Sequence, residues 1–248
     1  MLSSFSDSYW AGRRTNTGQN TPVITDGLVM YVDGANRASY SGSGINWADL
    51  SANGNNLILQ NNNDIVWSSR GYFNTGTLGF FDRETGINVP QGNDPYCMGV
   101  WARQPNFWTN AGGLIAIGGY GVPQRSNALR LDQTTSNESF QHYWWGSNPW
   151  GGDLTGYKPS LRLNRWFFVA AQYDGTTRSI WVDGRQVASD IPNTSIHNVT
   201  SPLIQVSRVD PYALTQRGDM AVAFIYDRAL TSLEMRRIFG AYRGRFGL

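Results

Sequence analysis

An all-β fold, a two-sheet antiparallel jelly-roll sandwich with one short C-terminal helix, is what this chain predicts, and three observations predict it. Short apolar runs recur at strand-like spacing and are punctuated by 28 glycines. The stretch Trp166 to Ala188 fits three strand-like runs and two Asp-Gly reversals into one β-meander. A helical repeat of apolar residues occurs convincingly only near the C-terminus.

The meander is the best-defined element. Trp166 to Ala171 is aromatic and apolar on both alternating faces, the mark of an inner strand covered on two sides. Asp174-Gly175 supplies residues that tolerate positive φ, and Arg178 to Val182 returns with Ile180 and Val182 on one face and Trp181 on the other. Asp183-Gly184 then turns the chain into Gln186-Val187-Ala188.

Taken in order, residues 1–26 are rich in Ser, Thr, Asn, Gly and Arg, and read as a polar N-terminal arm preceding a single domain at 27–248. The arm is either a solvated tail or a segment that orders against a neighbouring subunit, with Tyr9, Trp10, Arg13 and Arg14 as its grip. Leu28 to Val32 is the first strand, followed by a long Gly- and Asn-rich loop to Asn56. Strands are expected at 57–59, 65–67, 78–81, 87–89, 96–103, 114–118, 128–131, 140–145, 203–209 and 220–226. Packing two sheets face to face buries one side of so many strands. In the helix, Thr231 and Glu234 have the spacing of a capping box, and Met235, Ile238, Phe239 and Tyr242 share a face. The basic tail Arg243-Gly244-Arg245-Phe246-Gly247-Leu248 is either loose or docked.

Three segments carry a family resemblance. They are the Trp166-to-Ala188 meander with its Tyr-Asp-Gly and Trp-Val-Asp-Gly runs, the opening Gly27-Leu28-Val29-Met30-Tyr31-Val32-Asp33 with Trp47 and Asp49 to Asn56, and the closing Ala221 to Glu234. Together they resemble laminin G-like domains of the concanavalin A-like lectin/glucanase superfamily, and in particular its bacteriophage and viral structural members. That resemblance implies a jelly roll, and it makes calcium a cofactor to be considered.

Composition narrows the function. At 248 residues, with 40% hydrophobic residues and ten tryptophans, the chain can bury one large core. A net charge of +2 gives no electrostatic case for nucleic acid. Lys158 is the only lysine against a background of arginine, a bias that suits contact surfaces and equally reflects composition. Cys97 stands alone, so no intrachain disulfide forms and a buried inert thiol is expected. Neither a signal peptide nor a membrane-spanning run is read from the sequence, which leaves production in a host cytoplasm and no membrane insertion as the expectation.

No catalytic residues are expected. Glycosidases need two carboxylates flanking the scissile bond. Here Glu84, Glu138 and Glu234 are widely separated, while Asp174, Asp183 and Asp227 sit in turn-like contexts. His142 and His197 lack the spacing of a zinc site, and Gly118-Gly119-Tyr120-Gly121 lacks the rest of a phosphate loop.

Two candidate sites remain. Asp33, Asp49, Ser51 and Asn53 offer the short oxygen ligands calcium accepts, or else hydrogen-bond their own backbone in turns; the turn reading is preferred, since one region seldom supplies six oxygens. Tyr143, Trp144, Trp145, Asn148 and Trp150 concentrate the aromatic and amide groups that hold a glycan or a protein partner, although strand periodicity puts either Trp144 or Trp145 in the core. The expected role is a non-enzymatic virion structural protein, a capsid, decoration or tail-associated component that forms a homo-oligomer or docks on other virion proteins. The alternative is a carbohydrate-binding module or adhesin that recognises a host glycan.

Overall fold

Alternation of apolar and polar residues, interrupted by residues that accept tight turns, produces sixteen strands, one α-helix and a short 3-10 turn at Asn62–Asp64 among the described residues of the computed structural model, which are 24–104, 112–119, 125–134, 137–144, 154–157, 164–194, 197–209 and 218–248. In chain order they are β1 (Leu28–Asp33), β2 (Asn46–Trp47), β3 (Leu57–Gln60), β4 (Val66–Ser68), β5 (Tyr72–Asn74), β6 (Phe80–Arg83), β7 (Tyr96–Arg103) and β8 (Gly112–Gly118). There follow β9 (Ser126–Thr134), β10 (Asn137–Tyr143), β11 (Leu154–Tyr157), β12 (Trp166–Tyr173), β13 (Arg178–Val182), β14 (Arg185–Asp190), β15 (Ile204–Val206), β16 (Asp219–Tyr226) and α1 (Ser232–Arg243).

The strands form two eight-stranded antiparallel sheets. One runs β14-β13-β12-β7-β16-β5-β4, with β1 also paired to β16; the other runs β11-β10-β9-β8-β15-β6-β3-β2. This is the expected sandwich. Met98, Val100, Phe167, Val169, Ala223 and Ile225 of the first sheet face Leu57, Phe81, Ile115, Ile117, Leu129 and Phe140 of the second across one continuous core.

The meander forms as its turns dictate. Asp174 Oδ1 accepts the N–H groups of Thr176 (2.9 Å) and Thr177 (2.7 Å) beside Gly175, whose φ is +97°. Asp183 and Gly184 take φ of 48° and 76°, and Asp183 Oδ1 accepts the Phe168 N–H at 3.1 Å, tying the second turn back to β12.

The first sheet is covered on its outer face as well. There the helix lays Met235, Ile238 and Tyr242 on Trp101, Phe168 and Trp181. Its start carries a complete capping box between Thr231 and Glu234. Arg228 also pairs with Glu234 at 2.6 Å, and this pairing holds the carboxyl down at about 2. Phe239 is only partly buried. Ile24 packs on the same cluster, its carbonyl accepts from Tyr226 Oη at 3.0 Å, and Asp26 pairs with Arg228 at 2.9 Å.

Two expected strands change, and three observed strands were not expected. Residues 87–89 form no strand, because Asn88 has φ of 56° and the Ile87 backbone is held by the Asn55 amide through its N–H (2.7 Å) and its carbonyl (2.8 Å). The strand expected at 203–209 ends at Val206, where Ser207 takes φ of 65°. Strands β2, β5 and β11, of two to four residues, carry too few alternations to register as strands in the sequence.

Candidate functional site

The loop after β1 is organised by its own side chains. Asp49 accepts four donors: the N–H groups of Tyr31 (2.9 Å), Ser51 (2.9 Å) and Asn55 (2.8 Å), and the Ser51 hydroxyl (2.7 Å). Asn53 donates to the carbonyls of Leu28 (2.9 Å) and Val29 (3.1 Å), so Asp49, Ser51 and Asn53 form a brace that pins the loop to β1. Asp33 is held elsewhere. Its carboxylate is fully buried, accepts the Ala35 N–H at 2.8 Å, and forms a salt bridge with Arg245 at 2.7 Å. Among the described residues no group of three or more His, Cys, Asp or Glu side chains is placed to hold a metal ion. The turn reading of this loop is the one its contacts carry.

The aromatic run divides by strand face. Trp144 is 1% exposed and belongs to the interior, which removes it from the surface contact set. Its indole donates to Tyr96 Oη at 2.8 Å and stacks on His197 at 3.8 Å, while the Arg178 guanidinium lies 4.7 Å from its ring centroid. Tyr96 in turn bonds His142 Nε2, and His197 bonds Asn127 Oδ1 at 2.7 Å. Arg178 is itself buried and forms a two-point pair with Asp190 at 2.6 and 3.0 Å. Burial, with Arg178 next in weight, pushes His197 down to about 3, and burial with Arg178 and His197 lowers His142 well below its usual range. This is an internal polar layer of neutral rings. Tyr143 points to the opposite face, half-buried, with the Arg130 guanidinium 3.8 Å from its ring centroid. Trp145, Asn148 and Trp150 lie outside the described residues, as do Tyr9, Trp10, Arg13 and Arg14. Cys97 is buried, which raises its thiol far from reactivity.

Among the described residues, a ligand-sized concavity lies on the outer face of the first sheet. A cleft of about 640 Å³ is lined by Arg70, Tyr72, Arg103, Trp166, Arg245, Phe246 and Gly247. That size falls within the range of small-molecule sites. Two of its lining residues open a row of directly opposed residues across four strands: Trp166 on β12 faces Arg103 on β7, which faces Asp219 on β16, which faces Asn74 on β5, the last two lying behind the cleft wall. Arg103 meets Asp219 Oδ2 at 2.6 Å through Nε and at 2.5 Å through Nη2, and Asn74 donates to Asp219 Oδ1 at 2.9 Å. The Arg103 guanidinium is 5.2 Å from the ring centroids of both Tyr72 and Trp166, which meet edge to face at 5.4 Å.

The C-terminal turn completes the wall. Phe246 packs on Trp166 (4.7 Å) and stacks on Trp101 (4.6 Å), so the basic tail is docked on its own domain. Arg245 reaches past it to Asp33 and to the Gly71 carbonyl at 2.6 Å. Gly71 has φ of +84°, and a Cβ there would lie 2.6 Å from the Ala35 Cα, so both its conformation and its surroundings require glycine. Arg70 beside it is exposed, and its guanidinium has no partner among the described residues. Rings that can stack on a sugar and guanidinium groups that bind its oxygens therefore share one concavity.

The sequence matches the Laminin_G_3 family, described as concanavalin A-like lectin/glucanases superfamily, over residues 81–236. The chain belongs to this superfamily. A search of curated proteins finds no match. Among solved structures, the Trypanosoma rangeli sialidase in complex with the inhibitor DANA superposes with a TM-score of 0.63 at 19% identity, covering 88% of this chain and 33% of the sialidase. The botulinum neurotoxin serotype D binding domain superposes with a TM-score of 0.63 at 13% identity, covering 88% of this chain and 52% of that one. At these identities the likeness is one of fold. The chain spans well under two thirds of either protein.

Sequence reasoning reaches this cleft only in part. Its residues come from the β4–β5 turn, β5, β7, β12 and the C-terminal turn, and no local motif links them. The signals available in the sequence are the arginine bias and the Arg-Phe pair of the tail.

Proposed function

We propose that this chain is a carbohydrate-binding module without catalytic activity, and that the cleft between the C-terminal turn and the outer face of the first sheet holds the sugar. The observation that carries the reading is the placement of Arg103 beside the contacting rings of Tyr72 and Trp166, 5.2 Å from each, with Asp219 fixing the guanidinium. A pyranose presents an apolar face to such rings and hydroxyls to the guanidinium, and the donors are held in place before the ligand arrives. The superfamily's lectins and glucanases, and a neighbour solved as a complex with sialic acid, lend the same direction.

The non-catalytic part of the reading rests on the cleft, which no carboxylate lines among the described residues, and on the roles that five carboxylates elsewhere already have. Glu234 caps α1, Asp174 and Asp183 hold turns, and Asp33 and Asp219 are committed to arginines. A glycan array probed with the wild-type protein and with Trp166→Ala tests the proposal. Binding by the former and its loss in the latter are expected; equal binding by both places the sugar elsewhere.

A second reading is assembly, as a virion structural protein that joins copies of itself or other coat proteins. It is favoured by the composition of the sequence ahead of Ile24, where Tyr9, Trp10, Arg13 and Arg14 are residue types suited to a protein contact. Light scattering on the full chain and on a chain lacking residues 1–23 tests it. Oligomers that need the segment support assembly, and monomers in both samples oppose it.

A further inference from the structure

The charges around the cleft do not balance, and the imbalance specifies a ligand. Three guanidinium groups line it, and no carboxylate does so among the described residues. Two of the three are neutralised from below: Arg103 by Asp219, which is 2% exposed, and Arg245 by Asp33, which is fully buried. In Arg103, Nε and Nη2 are engaged by Asp219; in Arg245, both terminal nitrogens are engaged by Asp33 and the Gly71 carbonyl. These two arginines are rigid parts of the wall. Arg70 is exposed in the lining with no acidic partner among the described residues, so these residues leave the cleft one uncompensated positive charge beside its aromatic rings.

We propose, building on the carbohydrate-binding reading, that the cleft selects a pyranose bearing a single anionic substituent, with Arg70 as the residue that recognises the anion. The ring of such a sugar lies against Tyr72 and Trp166. Its carboxylate or sulfate meets the planar fork of Arg70, which can donate two parallel hydrogen bonds to either group. A neutral sugar leaves that charge without a counterpart. Arg70 is solvent-exposed and its guanidinium forms no ion pair among the described residues, which makes it a specificity determinant to be tested separately from stability.

The test is titration calorimetry at low salt with glucose, glucuronic acid, the methyl ester of glucuronic acid, and glucose 6-sulfate, against wild type and Arg70→Gln. The expected result is binding of glucuronic acid or glucose 6-sulfate at least about tenfold tighter than glucose and the methyl ester, consistent with a charge-assisted hydrogen bond. The advantage should vanish in Arg70→Gln and shrink as salt rises. Which of the two acidic sugars binds more tightly identifies the anion. If all four bind equally and Trp166→Ala abolishes all four, the inference falls and the carbohydrate-binding reading stands. If an acidic preference persists in Arg70→Gln, the assignment to Arg70 is wrong. If none binds, both fail together.

Discussion

Arg245 and Asp33, 212 positions apart in sequence, are joined by a 2.7 Å salt bridge in which the carboxylate is fully buried and the guanidinium side chain is 24% exposed. A buried carboxylate deprived of its partner is strongly destabilising. Arg245→Ala is expected to lower stability by about 2–3 kcal/mol, less than for a fully enclosed pair because water reaches the arginine. Chemical denaturation measures it, and an unchanged midpoint would show that the tail contributes nothing to the fold.

Gly71 links that pair to the cleft, since its carbonyl accepts from Arg245 and its φ of +84° is closed to side chains. Gly71→Ala must displace Ala35 or break the turn at the cleft wall. A loss of about 1–3 kcal/mol and weaker sugar binding are expected together, read by denaturation and calorimetry on one preparation.

Trp144 and Trp166 should separate stability from binding. Trp144 is enclosed among Tyr96, Tyr173 and His197, so Trp144→Ala is expected to cost about 3–5 kcal/mol without involving the cleft. Trp166 is only partly buried, and Trp166→Ala is expected to abolish sugar binding at a smaller cost in stability. Melting temperatures and titrations of the two variants should rank in opposite orders.

The internal histidines make stability depend on pH. Both are lowered in the folded state relative to 6.5, His197 to about 3, so the unfolded chain binds protons that the native one refuses. Their contribution is complete above pH 6.5 and is lost as pH falls below it, at up to about 1.4 kcal/mol per pH unit for each histidine. Denaturation at pH 7.5, 6.5, 5.5 and 5 should show this decline, and His197→Asn should make it shallower, leaving the part due to His142. A profile flat from 7.5 to 5 in the wild type would contradict the neutral layer.

The Asp49 brace predicts a loop set by protein donors. Asp49→Ala strands the N–H groups of Tyr31, Ser51 and Asn55 and is expected to cost about 2–3 kcal/mol, whereas adding a chelator to the wild type should leave its melting temperature unchanged. A chelator-sensitive transition would restore the calcium reading of Asp33, Asp49, Ser51 and Asn53.

Local chemistry was legible in the sequence and long-range convergence was not. Asp174-Gly175, Asp183-Gly184 and the Thr231–Glu234 capping box act within a few residues, and each forms as its residue types require. The Trp166-to-Ala171 run announced a strand covered on both faces, which β12 is. Residues 87–89 looked like a strand because Ile87 and Val89 alternate, but the competing partner, Asn55, is 32 positions away. The cleft was hidden for the same reason. The row Trp166, Arg103, Asp219 and Asn74 exists only through the registers of three strand pairs, and neither register nor sheet order follows from apolar patterning. Trp144 and Tyr143 show the intermediate case: alternation separates their faces but does not say which one is buried.

The central claim is that sugar binds at Arg70, Arg103 and Trp166, and the most direct measurement follows the arginine Nε and tryptophan Nε1 resonances of the ¹⁵N-labelled protein while glucuronic acid is added. The account predicts saturable shifts at Arg70, Arg103 and Trp166, with Trp144 and Arg178 unmoved. Shifts centred on Arg130 and the neighbourhood of Tyr143, or none at the cleft at saturating sugar, would contradict it.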